Sequence, residues 1–195
     1  MDYAALNQLL GNLDLFLLDQ ILKGRYDPGM RVLDAGCGEG RNLPYFVKNG
    51  FDVWGVDANP AALRLLRLLG KSWGPAFDPE KFIESPIDEL PLPPARFDAV
   101  VCCAVLHFAH DESHFFRMID ELLRVLKPSG SLFVRMNSQG ASKGHLSAQK
   151  PPFFLLTPAL SEQLLTRYPL RWREPPCTVH REGEVAQSIL ILEKE

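Results

Sequence analysis

The stretch Arg31-Val-Leu-Asp-Ala-Gly-Cys-Gly-Glu-Gly-Arg-Asn42 governs how the rest of the chain is read. Val32 and Leu33 favour a short buried strand that runs into Asp34. Gly36, Gly38 and Gly40 then make a turn in which backbone can approach a ligand closely. The pattern continues as a helix from Glu39 to Lys48, whose first N–H groups lack intrahelical partners. A strand, a turn and a helix start in this order form the kind of sheet edge at which open α/β folds hold polar ligand groups. The glycines are spaced G-x-G-x-G, whereas a pyrophosphate cradle wants G-x-G-x-x-G. Asp34, two residues before the first glycine, would repel a diphosphate. It suits a ligand carrying an ammonium group, and it can also hold N–H groups of the turn.

Working outward, Asn49-Gly50 ends the helix and Phe51 to Asp57 forms a second strand with an acidic last residue. Asp57 lies 21 residues after Gly36, close to the spacing of about 20 at which a βαβ unit sets a carboxylate beside the first glycine turn, within reach of ribose hydroxyls. The competing reading makes Asp57 the cap of the helix that starts at Pro60, a task that Asn59 can also perform.

Val32-Leu-Asp-Ala-Gly-Cys-Gly-Glu-Gly40 resembles the first motif of class I S-adenosylmethionine-dependent methyltransferases, and Arg41-Asn42 is similar to small tellurite-resistance and thiol methyltransferase-like members. Weaker motifs extend the resemblance from about residue 30 to the C-terminus. It implies S-adenosylmethionine as cofactor, S-adenosylhomocysteine as product, and cofactor contacts at Asp34, Gly36, Cys37, Gly38, Arg41, Asp57, Ala58 and Cys103. The adenine element of the family falls on Glu84-Ser-Pro-Ile-Asp-Glu-Leu-Pro91, with Pro86 where an acid usually stands. The resemblance therefore assigns the ring contact to the Ile87 N–H and the exocyclic amine to the Asp88 carboxylate. It also implies an N-terminal helix closing over the site, with Tyr3, Asn7 and Arg25 as roof residues.

Elsewhere, leucines at helical spacing predict a helix over residues 4 to 23, and Pro60 to Leu69 a second with Arg64, Arg67 and Lys71 on a solvated face. Gly70 to Lys81 reads as a loop and Phe82-Ile83 as a short third strand. The apolar run after Phe97-Asp98 is a central parallel strand ending near Cys103, and Leu106-His107-Phe108 leaves its carboxyl end. A helix from Asp111 to Lys127, stopped by Lys127-Pro-Ser-Gly130, precedes a fifth strand, Ser131 to Met136. Residues 137 to 152 are polar and aperiodic, which suggests a lid. Thr157-Pro158 starts a helix to about Tyr168, and the runs Leu170 to His180 and Val185 to Glu193 make a hairpin. The expected architecture is a single α/β domain over 1–195, a Rossmann-like three-layer sandwich, with residues 1–25 as an N-terminal helical cap and 30–195 as the core. The resemblance supplies a mostly parallel seven-stranded sheet of order 3-2-1-4-5-7-6.

The chain has 195 residues, 46 % of them hydrophobic, and a formal net charge of −3, so one well-filled domain is expected and no overall field attracts a polyanion. Nucleic acid is not an expected partner. No apolar stretch reaches the roughly 18 residues of a membrane span. Cys37, Cys102, Cys103 and Cys177 fit neither a disulfide framework nor a metal motif, and read as reduced thiols of a cytoplasmic protein. The implied reaction is methyl transfer to a small-molecule nucleophile. His107 is the candidate base, since an unperturbed imidazole titrates near pH ~6.5, although a histidine bonded to a backbone carbonyl explains the residue as well. A macromolecular methyltransferase, suggested by Arg167, Arg171, Arg173 and Arg181, and a non-catalytic cofactor-binding module are the alternatives.

Overall fold

The computed structural model describes residues 2, 4–5, 10–139, 153–180 and 185–195. Its seven strands are β1 (Arg31–Ala35), β2 (Asp52–Asp57), β3 (Phe82–Glu84), β4 (Phe97–Cys103), β5 (Leu126–Asn137), β6 (Leu170–Val179) and β7 (Gln187–Lys194). They form one sheet of order β3-β2-β1-β4-β5-β7-β6, the order implied by the resemblance. Pairing is parallel from β3 to β5 and antiparallel for β5 with β7 and β7 with β6. The helices are α1 (Leu15–Leu22), α2 (Leu43–Lys48), α3 (Pro60–Gly70), α4 (Glu112–Val125) and α5 (Pro158–Arg167).

Strand periodicity sorts the core into two layers. Leu33, Ala35, Val100, Cys102, Leu132 and Val134 face a cluster that includes Phe115, Ile119 and Leu122 of α4 and Leu160 and Leu164 of α5. Val32, Ala99, Val101, Cys103 and Phe133 face Leu17 of α1, Phe46 of α2 and Leu63 and Leu66 of α3. Both faces of β1 and β4 are covered, which is why these strands read as continuous apolar runs.

Several boundaries differ from expectation, each for a local reason. The N-terminal helix is interrupted: Gly11 has φ +63°, and Asp14 caps a new start by accepting from the N–H groups of Phe16 and Leu17. The helix after the glycine turn begins at Leu43 instead of Glu39, because Gly40 at φ +84° lies outside helical space. Lys127-Pro-Ser-Gly130 belongs to β5, which pairs Leu126 with Phe97 and then skips to Ser131 with Ala99, so the intervening residues bulge. Arg67 does not stand on a solvated face; it is half-buried and donates to the carbonyls of Pro79 and Phe82, pinning the loop that leads to β3. Pro175 and Pro176 sit in β6, whose pairing with β7 shifts register on either side of Glu174, as an edge strand tolerates. Within the expected lid, residues 140–152 lie outside the described residues, as do Tyr3, Asn7 and Arg181.

Candidate functional site

On the α1–α3 face, successive strands end their apolar rows in polar residues at the carboxyl edge: Asp57 on β2, Asp34 on β1, Cys103 on β4 and Arg135 on β5. The glycine turn lies over the first two of these. The Gly36 and Cys37 N–H groups donate to the Val56 carbonyl at 2.7 and 3.0 Å, and the Gly38 N–H donates to Asp57 Oδ2 at 2.7 Å. Asp57 Oδ1 accepts from the Asn59 N–H at 2.8 Å, while Asn59 caps α3 by accepting from Ala61 and Ala62. Asp57 is thus not the helix cap. Each of its oxygens takes one N–H and keeps a further lone pair for a ligand hydroxyl.

The three glycines have separate constraints. A Cβ on Gly36 would come within 2.1 Å of Val105 Cγ2, so the exit of β4 presses against the turn. A Cβ on Gly40 would meet Trp73 at 2.7 Å. At Gly38, by contrast, it would meet nothing within 4 Å, although φ is +54°. The turn is therefore closed by protein at its two ends and open at its middle.

Asp34 is 3 % exposed, and neither carboxylate oxygen has a hydrogen-bond partner among the described residues. Burial pushes its pKa up to about 7, against the pull of Arg41 and with the help of Asp57. A buried acid without partners costs free energy, and this one stands at the carboxyl end of β1, just before the glycine turn. The donor set fits S-adenosylmethionine: Asp34 for an ammonium, Asp57 for a ribose diol, and the bare backbone of Gly38 for close approach.

The neighbouring polar residues form a network whose centre sequence reasoning missed. Asp14 Oδ2 lies 2.7 Å from Arg135 Nε and 3.3 Å from Arg41 Nη2, and accepts from the Cys103 thiol at 3.4 Å. Asn42 Oδ1 accepts from the Asp14 N–H, and Gln187 Oε1 from Arg135. Burial raises the Cys103 thiol to about 11, with the Asp14 charge adding to the rise, so it is a neutral donor and no nucleophile. The signals were present: an acid directly before an apolar helical run is an N-cap, and an arginine inside a buried strand needs a partner.

Other expected residues are placed differently. Asp88 pairs with His114 at 3.4 Å and Arg117 at 3.7 Å on α4, so its carboxylate is engaged on that helix instead of being free for an amine. Ile87 is buried in the α4-side core, and Ala58 is exposed beside Asp57. Arg25 pairs with Glu174 of β6, which draws it away from the roof role. Arg171 and Arg173 pair with Glu193, and Arg167 lies over the Phe116 ring, so these three basic residues are locally satisfied. His107 follows β4 in a 3-10 turn, Leu106–Phe108. It is buried, its Nδ1 has no partner, and burial together with the Arg135 charge lowers its pKa to about 4. The imidazole is neutral at physiological pH, a weaker base than the unperturbed value implies, and the carbonyl bond offered as the alternative is not made by Nδ1. Among the described residues no group of His, Cys, Asp and Glu could hold a metal ion.

A family model described as a methyltransferase domain matches residues 33–134, from β1 through the glycine turn to β5. The chain belongs to this methyltransferase domain family. A ubiquinone biosynthesis O-methyltransferase of Xylella fastidiosa (strain M23) is 35 % identical over 117 residues, 60 % of this chain and 46 % of that protein. The chain thus spans about half the length of the curated relatives it matches. Among solved structures, a SAM-dependent methyltransferase from Methanosarcina mazei superposes with a TM-score of 0.73 at 19 % identity, covering 89 % of this chain and 96 % of the other. The magnesium protoporphyrin IX methyltransferase of Synechocystis PCC 6803 with bound SAH gives 0.75 at 17 % identity, covering 97 % and 83 %. These likenesses establish the fold, and family membership with the donor set supports S-adenosylmethionine as the cofactor. The finer resemblance to tellurite-resistance and thiol methyltransferase-like members finds no support among these relatives. No described helix is long and apolar enough to cross a membrane.

Proposed function

We propose that this protein transfers a methyl group from S-adenosylmethionine to a small-molecule nucleophile. The observation that carries the reading is Asp34: a buried carboxylate with two unpartnered oxygens, four residues before Gly38, whose Cβ direction is empty. S-adenosylmethionine supplies an already activated sulfonium methyl group when bound. The chain's own task is therefore to bind, orient and exclude water, and such positioning can lower a barrier by about 7–11 kcal/mol. Asp34 receives the ammonium end, Asp57 the ribose hydroxyls, and Gly38 the backbone approach. The Ile87 N–H is kept as the ring contact. The small-molecule part of the reading is supported by the names of the curated relatives and by the pairing of Arg171 and Arg173 with Glu193, which offsets part of the charge of the basic run.

Calorimetric titration with S-adenosylhomocysteine tests the binding half. Asp57→Ala should weaken affinity by about 1.5–3 kcal/mol, the scale of hydrogen bonds to a charged group. The same variant frees the Gly38 N–H, so a melting curve taken in parallel should show a small loss and a folded protein. Unchanged affinity would leave Asp57 a purely structural anchor of the turn. Release of S-adenosylhomocysteine in the presence of small nucleophiles, against RNA and peptide pools, tests the transfer half; tight cofactor binding with no turnover on any of them would mark a non-catalytic module.

A further inference from the structure

The segment that leaves β3 is held to α4 by a row of polar contacts that the cofactor residues do not use. Its start is tied to the site: Glu84 pairs with Asp57 in the sheet, and the Ser85 N–H donates to the Asp57 carbonyl at 3.2 Å. Four of the ten residues from Ser85 to Pro94 are prolines, so the backbone that follows is stiff. Helix α4 grips this segment at two levels. Nearer the carboxyl edge of the sheet, Asp88 Oδ2 lies 3.4 Å from His114 Nε2 and 3.7 Å from Arg117 Nε. The His110 N–H donates to His114 Nδ1 at 3.1 Å, so in the neutral ring the proton sits on Nε2 and faces Asp88. One to two turns further along the helix, Glu121 Oε2 accepts from the Leu90 N–H at 2.8 Å. Arg124 donates to the Leu90 and Leu92 carbonyls at 2.9 and 2.7 Å while pairing with Glu121 at 2.6 Å. Main-chain groups bonded to charged side chains are held more firmly than those bonded to neutral partners.

We propose that His114 and Glu121, the latter braced by Arg124, are positioning residues for the base of the cofactor: they act through the segment 85–92 and set it where the purine meets the main chain around Ile87. The proposal rests on the methyltransferase reading above and deepens it. The covalent order of S-adenosylmethionine decides which way the base runs. Along the carboxyl edge Asp34 stands on β1, Asp57 on β2, and the exit of β3 lies beyond them. With the ammonium end at Asp34 and the ribose at Asp57, the base continues in the same direction and comes to lie at the β3 exit. The Asp88 carboxylate is engaged on α4, so what the base meets there is main chain. A main-chain group recognises a ring only while it is held within about 0.5 Å of its productive place. The grip of α4 on Asp88, Leu90 and Leu92 supplies that precision from a helix that itself stays away from the ligand.

Calorimetric titration with S-adenosylhomocysteine and with S-ribosylhomocysteine, which carries a hydroxyl in place of the base, is the test. In the wild type the base should make S-adenosylhomocysteine bind at least about tenfold more tightly than S-ribosylhomocysteine. Glu121→Ala and His114→Ala should each reduce that ratio by about threefold or more, while leaving the affinity for S-ribosylhomocysteine within about twofold. Glu121→Gln keeps an acceptor for the Leu90 N–H and should hold the ratio within about twofold of the wild type. A general loosening of the fold weakens both ligands alike and leaves the ratio unmoved, so the ratio separates positioning from bulk stability. Melting curves identify a variant that fails to fold, and His114→Ala carries the test if Glu121→Ala does so. Equal affinities of the wild type for the two ligands, a ratio unchanged in the folded alanine variants, an equal loss for both ligands, or a Glu121→Gln ratio as low as that of Glu121→Ala would overturn the proposal. Absence of S-adenosylhomocysteine binding by the wild type would instead overturn the methyltransferase reading beneath it.

Discussion

Asp34 and Gly36 show how single side chains divide the work of the site between folding and binding. A carboxylate that is buried without partners opposes folding, so replacing it with the neutral isostere should stabilise the free protein even as it removes the group that a ligand ammonium would meet. We expect Asp34→Asn to melt higher than the wild type at pH 8 and to bind S-adenosylhomocysteine at least about tenfold more weakly, an ion-assisted bond being worth roughly 1.5–3 kcal/mol. Lower stability with unchanged affinity would make Asp34 a structural acid. The glycines give the complementary case. Gly36→Ala sets a Cβ against Val105 at a left-handed φ, and should cost about 2–4 kcal/mol of stability through strain and overpacking. Gly38→Ala meets no protein atom, so it should cost only the roughly 1–2 kcal/mol of the left-handed backbone while sharply reducing cofactor affinity. Chemical denaturation and calorimetry on the two variants separate these effects. If both behave alike, the middle of the turn is not the open side of a ligand site.

Among the elements, those with a period of their own could be read directly. The strands β1, β2 and β4, the helix α4 and the terminal hairpin all follow from apolar runs, amphipathic spacing and turn residues. Sheet order came from resemblance, because periodicity identifies strands and says nothing about which of them are neighbours. Asp34 and Asp57 could be singled out as candidates because their spacing from the glycines is local, and both do stand at the carboxyl edge by the turn. What could not be read was set by contacts between distant segments. Arg67 looks solvated until the loop it pins is known, and Asp14 looks like a polar residue on another face of a leucine helix until Arg135 arrives from β5, 121 residues later in the chain. Asp14 couples α1 to the glycine turn and to the sheet edge, and its two functions can be separated. Asp14→Ala should cost about 2–4 kcal/mol, the sum of a lost N-cap and a half-buried arginine left without its carboxylate. Asp14→Asn restores the cap and not the charge, so it should recover about 1 kcal/mol of that loss. Equal urea midpoints for the two variants would show that the charge contributes everything and the cap nothing.

The molecule as a whole should show a stability profile against pH that its ligand shifts in a defined direction. Asp34 has a folded-state pKa of about 7, raised from an ordinary carboxylate value by burial. A raised pKa means that its contribution is fully present below the unfolded value and is lost progressively up to about pH 7, so on this account the free protein should weaken from the ordinary carboxylate range towards neutrality and level off above it. The opposite limb has several sources. Hydrogen bonds and ion pairs from Arg31 and Lys81 to Asp52, from Lys127 to Asp98 and from Arg124 to Glu121 outweigh desolvation and hold these carboxyls below their usual range, so their contribution is present at neutral pH and lost as acid protonates them. His107, lowered to about 4 by burial and by Arg135, adds a contribution that is complete above an ordinary imidazole pKa and is lost as pH falls towards 4. The melting temperature of the free protein should therefore pass through a maximum on the mildly acidic side of pH 7. A ligand whose ammonium pairs with Asp34 binds the deprotonated carboxylate, so saturating S-adenosylhomocysteine should move that maximum above pH 7. Its affinity should fall by up to about tenfold for each pH unit below 7, with one proton released on binding under those conditions. Asp34→Asn should abolish the fall in stability towards pH 7, the shift of the maximum and the proton release together. Melting curves from pH 4 to 9 with and without ligand, and calorimetry in two buffers of different ionisation enthalpy, give all three quantities. A fall towards pH 7 that persists in Asp34→Asn would assign the loss to another group and remove the link between this buried acid and the ligand.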